Sequence, residues 1–303
     1  MLPRRVLAAA AVLVTAFVLA ACGSQPVAAG TTPTLTISTT PDQDPEKLQR
    51  LYDAVASYLG ARLGVPVRYR PVPDYDAAVT GFQRDELQLV FFGGLAAAQA
   101  RTGVPNTVLV AQRDVDENLR SVFVARRDAG IGPIKDVSGL TALRGKSMTF
   151  GSPDSAAGRL MPQFFLLQAG VGATGAGGGG PGFSGSHDAT IKAVASGAYQ
   201  VGALSESVWD ARVKAGQVDT GKVTEVFRTP PYHNQLWQAR PDLDARYGAG
   251  FTDRARAALL DLDGSDQQER DILAQFPAGR FVPTAPENYT DIEAAARQLG
   301  LLT

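Results

Sequence analysis

Apolar residues at Leu48, Leu51, Val55, Tyr58, Leu59 and Leu63 recur at the spacing of one helical face, which predicts an amphipathic helix ending near Gly64. Its start is written just upstream, where Asp44 is a capping residue and Pro45 suits the first helical position. Before it, Thr34 to Ser38 reads as a β-branched strand. Strand, turn and helix then repeat. Val67 to Arg70 reads as a strand, Asp74 to Arg84 as a helix opened by an Asp-Tyr-Asp turn, and Leu87 to Phe92 as a buried strand. That strand ends at Gly93-Gly94, and Leu95 to Arg101 comes next as helix.

Further strands are expected at Val108–Ala111, Ser121–Ala125, Ser147–Phe150, Val201–Leu204 and Thr224–Phe227. A helix runs through Met161, Phe164, Phe165 and Leu167 to Gly170, and the C-terminal part is mostly helical over 253–262, 267–275 and 289–301. Such alternation implies α/β sheets with helices on both faces. Small or hydroxyl-bearing residues mark the strand-to-helix turns at 93–94, 152–158, 184–188 and 205–207. Those turns belong at the carboxyl ends of strands, where α/β sheets gather ligands. Two such sheets facing each other would enclose a cleft.

Composition adds the compartment. Arg4 and Arg5, the short apolar stretch Val6 to Leu19 and the small residues Leu19-Ala20-Ala21 before Cys22 form a signal peptide over 1–21, too short for a bilayer-spanning helix. Residues 22–33 read as an uncharged tether. Cys22 is the only cysteine, so no internal disulfide can form. The formal net charge of −1 and the absence of a basic patch give no sign of nucleic acid as a partner. The chain has two histidines, far apart in sequence and with no metal-ligand spacing, so neither a metal nor a cofactor is expected.

One of those histidines carries the candidate chemistry. Phe183-Ser184-Gly185-Ser186-His187-Asp188 opens a predicted helix, where backbone N–H groups lack intrahelical partners and favour an anion. Ser155 and Ser205 open two more helices as caps. A backbone or ligand can approach closely at Gly93, and Phe92, Tyr232 and Trp237 are candidates to line the cleft. His233 sits in the turn Thr229 to Asn234. A serine hydrolase built on Ser184 or Ser186 with His187 is the rival class, but no Gly-x-Ser-x-Gly elbow is present and adjacent Ser and His side chains do not readily meet.

The runs Ser38 to Gln43, Phe91-Phe92-Gly93-Gly94, Phe150 to Ser155 with Gly158 to Pro162, and Ser184 to Asp188 with Gly202-Ala203-Leu204 resemble the phosphonate, phosphite and phosphate substrate-binding proteins of ABC transporters, and most nearly a subgroup labelled selenate-binding. The resemblance implies a type II periplasmic-binding-protein fold with an interlobe cleft. One lobe would comprise 34–121 and 228–303 and the other 122–227, with hinge crossings near Ser121-Val122 and Phe227-Arg228. A small oxyanion would be captured by hinge closure and passed to a membrane permease. Cys22 resembles a lipobox cysteine, which implies a lipid anchor on the extracytoplasmic face, and the protein is expected to be monomeric. A ligand-sensing lipoprotein with the same fold is the third reading.

The same resemblance implies the site. The oxyanion-holding helix start corresponds to Ser155-Ala156-Ala157, where two positions often occupied by Ser or Thr are alanine. His187 matches the donor histidine, with Ser186 and Asp188 beside it, and Glu206 lies near an acidic ligand-contacting position. Tyr232 and His233 fall where relatives often carry paired aromatics and an aspartate, and Asp42 would face the site from the other lobe. An acidic group such as Glu206 or Asp154 at the ligand would accept from a protonated oxyanion and disfavour fully ionised selenate or sulfate.

Overall fold

The first strand, β1 (Leu35–Thr39), is wholly buried, and the turn after it delivers the chain to α1 (Pro45–Leu63). The Asp44 carboxylate accepts from the Glu46 and Lys47 N–H groups, and Gly64 ends the helix with φ 68°, so both boundaries are set by local chemistry. The computed structural model describes residues 32–173 and 179–302. The expected signal peptide, Cys22 and most of the tether lie outside those residues.

Two sheets organise the described chain. Five further strands, β2 (Val67–Tyr69), β3 (Leu89–Phe92), β4 (Val108–Arg113), β10 (Leu236–Ala239) and β11 (Phe281–Val282), join β1 in the larger, with order β11-β4-β10-β3-β1-β2. The smaller has order β7-β6-β8-β5-β9, from β5 (Ser121–Arg126), β6 (Met148–Phe150), β7 (Gly182–Phe183), β8 (Val201–Ser205) and β9 (Val223–Arg228). The chain therefore leaves the larger sheet after β4, builds the whole smaller sheet, and returns at β10. This is the two-lobe α/β architecture expected. The apolar pattern did not reveal β10, which runs antiparallel between β3 and β4 and carries a buried Gln238 in its middle.

Ser121-Val122 and Phe227-Arg228 lie inside β5 and β9, and the segments that join the sheets are 114–120 and 229–235. These two segments bond to each other. Thr229 N–H donates to the Ser121 carbonyl, Tyr232 N–H to that of Leu119, and Asn234 N–H to that of Asp116. They cross as one ribbon.

Helices pack where the sheets need covering. One face of the larger sheet buries Phe91 and Trp237 against Tyr52, Phe251 and Phe276. The other core is continuous between the lobes: Ala96 and Ala100 of α3 (Gly94–Gly103) and Ile292 and Ala296 of α10 (Thr290–Gln298) share it with Ala156, Leu160 and Met161. Aliphatic contact thus holds the lobes together beside the polar site.

Candidate functional site

The smaller lobe contributes two helix starts. At the first, Ser155 leads into an irregular turn (Ala156–Leu160) and then α4 (Met161–Gln168), and its Oγ accepts from the Gly158 N–H at 2.9 Å. Gly158 fits tightly there. A Cβ on it would meet Ser155 Oγ at 3.0 Å, and Gly151 Cα and His187 Cε1 each at 3.3 Å. The 151–158 loop thus stacks directly on the second helix start.

That second start is α5 (His187–Ala195), capped by Ser186, whose hydroxyl accepts from the Ala189 N–H. The His187 ring is buried, and its Nδ1 lies 3.4 Å from the Ser205 N–H that donates to it. Burial lowers the His187 pKa, against the opposing charges of Asp42 and Asp188, so the ring is neutral at pH 7. With Nδ1 accepting, the proton sits on Nε2 and makes that atom a donor.

The larger lobe answers with the turn after β1. His187 N–H donates to the Asp42 carbonyl at 3.0 Å, which pins the two lobes at this point. The buried Asp42 carboxylate accepts from Gln235 Nε2 at 2.9 Å. Gln235 in turn accepts from Arg113, whose guanidinium also grips the buried Asp116 through Nε at 2.5 Å and Nη2 at 3.0 Å. Tyr75, at the start of α2 (Tyr75–Gln83), is buried, which raises its pKa, and the Ser155 and Thr40 hydroxyls pull the other way. Thr40 Oγ1 is buried and, although near enough to Tyr75 to act on its hydroxyl, makes no hydrogen bond of ordinary geometry. Hydroxyls of Thr40, Tyr75 and Ser155 therefore converge from both lobes. Thr40 enters the sequence reading only within the run Ser38 to Gln43, and Tyr75 and Gln235 are not singled out there, although the Asp-Tyr-Asp turn holds the signal for Tyr75.

Other candidates are placed away from this cluster or spent on structure. Glu206, first residue of α6 (Glu206–Lys214), accepts from the Arg120 N–H at 2.7 Å and pairs with Arg228 at 3.1 Å. Its pKa is raised by burial, with those two partners opposing. The carboxylate therefore clamps the interlobe ribbon. Asp154 accepts from Gln99. Tyr232 bonds Ser121 Oγ at 2.6 Å, and that hydroxyl also bonds the Ala157 carbonyl, which ties the ribbon to the first helix start. His233 Nδ1 lies 3.1 Å from Gln112 Oε1 and its ring is edge-on to Tyr289. Phe92 packs on Phe82 and Trp237 on Phe91, on opposite faces of the larger sheet, and both rings are fully buried in core. Gly93 caps α3, whose Gly94 N–H donates to Asn234 Oδ1.

The serines beside the histidine do not engage its ring. Ser184 Oγ bonds the Phe150 carbonyl and Thr190, and Ser186 is the cap of α5. Asp188 faces outward to Arg212 and to the start of α1. Among the described residues no group of His, Cys, Asp and Glu is arranged to hold a metal ion.

Comparison with known proteins matches this architecture. The family model described as "ABC transporter, phosphonate, periplasmic substrate-binding protein" matches residues 37–289. The chain is 41% identical over 265 residues to the probable ABC transporter phosphite binding protein PhnD1 of Prochlorococcus marinus, covering 88% of this chain and 89% of that protein. It is 23% identical to the phosphate-import protein PhnD of Mycolicibacterium smegmatis, over 86% of this chain and 84% of that one. A solved structure of the P. marinus PhnD1 with methylphosphonate superposes with a TM-score of 0.85 at 39% identity, covering 89% of this chain and 99% of that one.

Proposed function

The chain belongs to the family of periplasmic substrate-binding proteins of phosphonate ABC transporters, and we propose that it captures a small tetrahedral phosphorus oxyanion between its lobes. The observation that carries this reading is the buried His187 ring, packed on the turn that Ser155 opens, whose Nδ1 accepts from Ser205 and so leaves Nε2 as the donor. We assign the oxyanion to the Ser155 hydroxyl, the amides of Ala156 and Ala157, and His187, with Thr40 and Tyr75 closing from the other lobe. Backbone amides at a helix start suit an anion whether or not their side chains carry hydroxyls. Ser186 supports this set as the cap of α5.

The Asp42 carboxylate tunes the choice of ligand. A singly protonated phosphite or methylphosphonate can donate to it, whereas fully ionised selenate or sulfate would only meet its charge. The P. marinus PhnD1, named for phosphite and solved with methylphosphonate, supports a phosphorus oxyanion as the ligand. Residues 34–121 and 228–303 form the first lobe in this reading and 122–227 the second, with closure about the crossing ribbon. A lipid anchor on Cys22 would hold the monomeric protein at the membrane, where the loaded, closed form is passed to the permease. Among the described residues no helix is long and apolar enough to cross a bilayer.

Calorimetric titration with phosphite, methylphosphonate, phosphate, selenate, selenite and sulfate tests this directly. Binding of phosphite and methylphosphonate ahead of sulfate and selenate is the expected result. Failure to bind any of them removes the oxyanion reading.

A further inference from the structure

Asp188 sits one residue from the proposed ligand donor, yet every contact of its carboxylate lies elsewhere. Oδ1 accepts from Arg212 Nε at 2.6 Å, and Oδ2 accepts from Arg212 Nη2 at 2.8 Å. Oδ2 also accepts from the Asp44 N–H at 3.0 Å. Arg212 belongs to the smaller lobe, on α6, whereas Asp44 caps α1 in the larger lobe. One carboxylate therefore joins an arginine of its own lobe to the backbone of the other.

Each partner has a reason to need it. Asp44 uses its side chain to cap the Glu46 and Lys47 amides, which leaves its own N–H to be satisfied from outside the helix. Asp188 meets that N–H at the positive end of a 19-residue helix. Arg212 orients the carboxylate bidentately and keeps its charge compensated if the lobes part. The pair is largely buried, at 14% and 15% side-chain exposure, and borders a groove of about 370 Å³ that Lys47, Arg50 and Lys192 also line. The lining of that groove does not include His187, Ser155 or Tyr75.

The neighbouring residue makes the matching bond, since His187 N–H reaches the Asp42 carbonyl. Successive residues of α5 thus cross to successive parts of the 42–44 turn.

We propose that Asp188, oriented by Arg212, is a closure latch: a positioning residue that joins α5 to the start of α1 and sets the open-to-closed equilibrium, and so scales the affinity for every ligand by one common factor. This rests on the binding function proposed above. A latch outside the pocket changes the population of the competent state without touching the ligand, so it cannot alter selectivity. A ligand contact would alter it.

The test compares wild type with Asp188→Asn and Arg212→Gln by calorimetry with phosphite and methylphosphonate, and by small-angle X-ray scattering with and without ligand. Loss of a charge-assisted bond is expected to weaken both ligands by the same factor, roughly 10- to 100-fold, with similar effects of the two substitutions. Without ligand, both variants should have a larger radius of gyration than wild type. Unequal factors for the two ligands would overturn the latch and make Asp188 a ligand contact. Unchanged affinity and unchanged scattering would overturn it also, as would a lowered ligand-free melting temperature with unchanged scattering, which assigns the pair to lobe stability. If wild type binds neither ligand, the proposed function fails on its own, and the ligand-free scattering still decides the latch.

Discussion

The two helix starts of the smaller lobe begin alike and serve differently. Both are capped by a serine whose hydroxyl accepts the N–H three residues on, Gly158 for Ser155 and Ala189 for Ser186. After Ser155 come two alanines, so that start offers a hydroxyl and bare amides within an apolar contact with the other lobe. After Ser186 come His187 and Asp188, and that start reaches across the lobe boundary twice. A serine cap can open any helix; the two residues after it decide what the start can reach.

The contact between the two starts offers the harshest way to break the comparison. Gly158→Val would push a branched side chain between Ser155, Gly151 and His187, which lie 3.0–3.3 Å from a Cβ at that position. We expect it to abolish calorimetric binding and to lower the melting temperature by about 2–10 °C, as overpacking of a tight contact does. His187→Gln separates the starts chemically. Removing the ring donor should weaken phosphite and methylphosphonate by roughly 10- to 100-fold while the fold persists by circular dichroism.

Acid should act on the second start and spare the first. The His187 pKa is lowered in the folded state, chiefly by burial, so below the ordinary histidine value of about 6.5 the unfolded chain takes up the proton first. Stability from the neutral ring is therefore complete above that pH and declines as pH falls toward the folded value. Thermal melts from pH 7 to 5 should show a steeper decline for wild type than for His187→Gln, since the difference between them isolates the ring. Equal slopes would mean that the ring does not stay neutral.

Smaller effects sharpen the contrast. Ala156→Ser restores a hydroxyl to the first start and should tighten phosphate by roughly 2- to 10-fold in calorimetry, with a lesser gain for methylphosphonate. An unchanged ranking would show that the amides alone set selectivity there. Glu206→Gln leaves both starts untouched and acts on the ribbon, where Arg228 keeps its pairs with Asp210 and Glu225. Its expected effect on affinity is the smallest of the series, within about threefold, since a partly exposed ion pair is worth little.

Much of this was legible in the chain. The period of α1, its Asp44 cap and the Gly64 stop are local, so the sequence alone carried them, as it did the alternation of strands and helices and the placement of His187 at a helix start. Glu206 and Asp188 were equally visible as acids near helix starts, yet their partners were not. Glu206 finds Arg120 across 86 residues and Asp188 finds Asp44 across 144, and no local pattern records which of several acids turns toward the ligand. Trp237 and Phe92 read as possible cleft aromatics for the same reason, because the face of a strand is known only once its neighbours are.

What the sequence determined by itself was every feature whose energy is settled within a turn or two of chain: caps, periods, stops and the placement of His187 at the start of α5. What only the tertiary structure decided was the pairing of distant segments, above all β10 entering between β3 and β4 and the 42–44 turn meeting α5. Both join segments far apart in the chain: β10 follows the whole smaller sheet, and Asp188 lies 144 residues after Asp44. Their free energy lies in burial and hydrogen bonds between residues that share no local sequence signal, so folding alone selects among the partners that composition makes available.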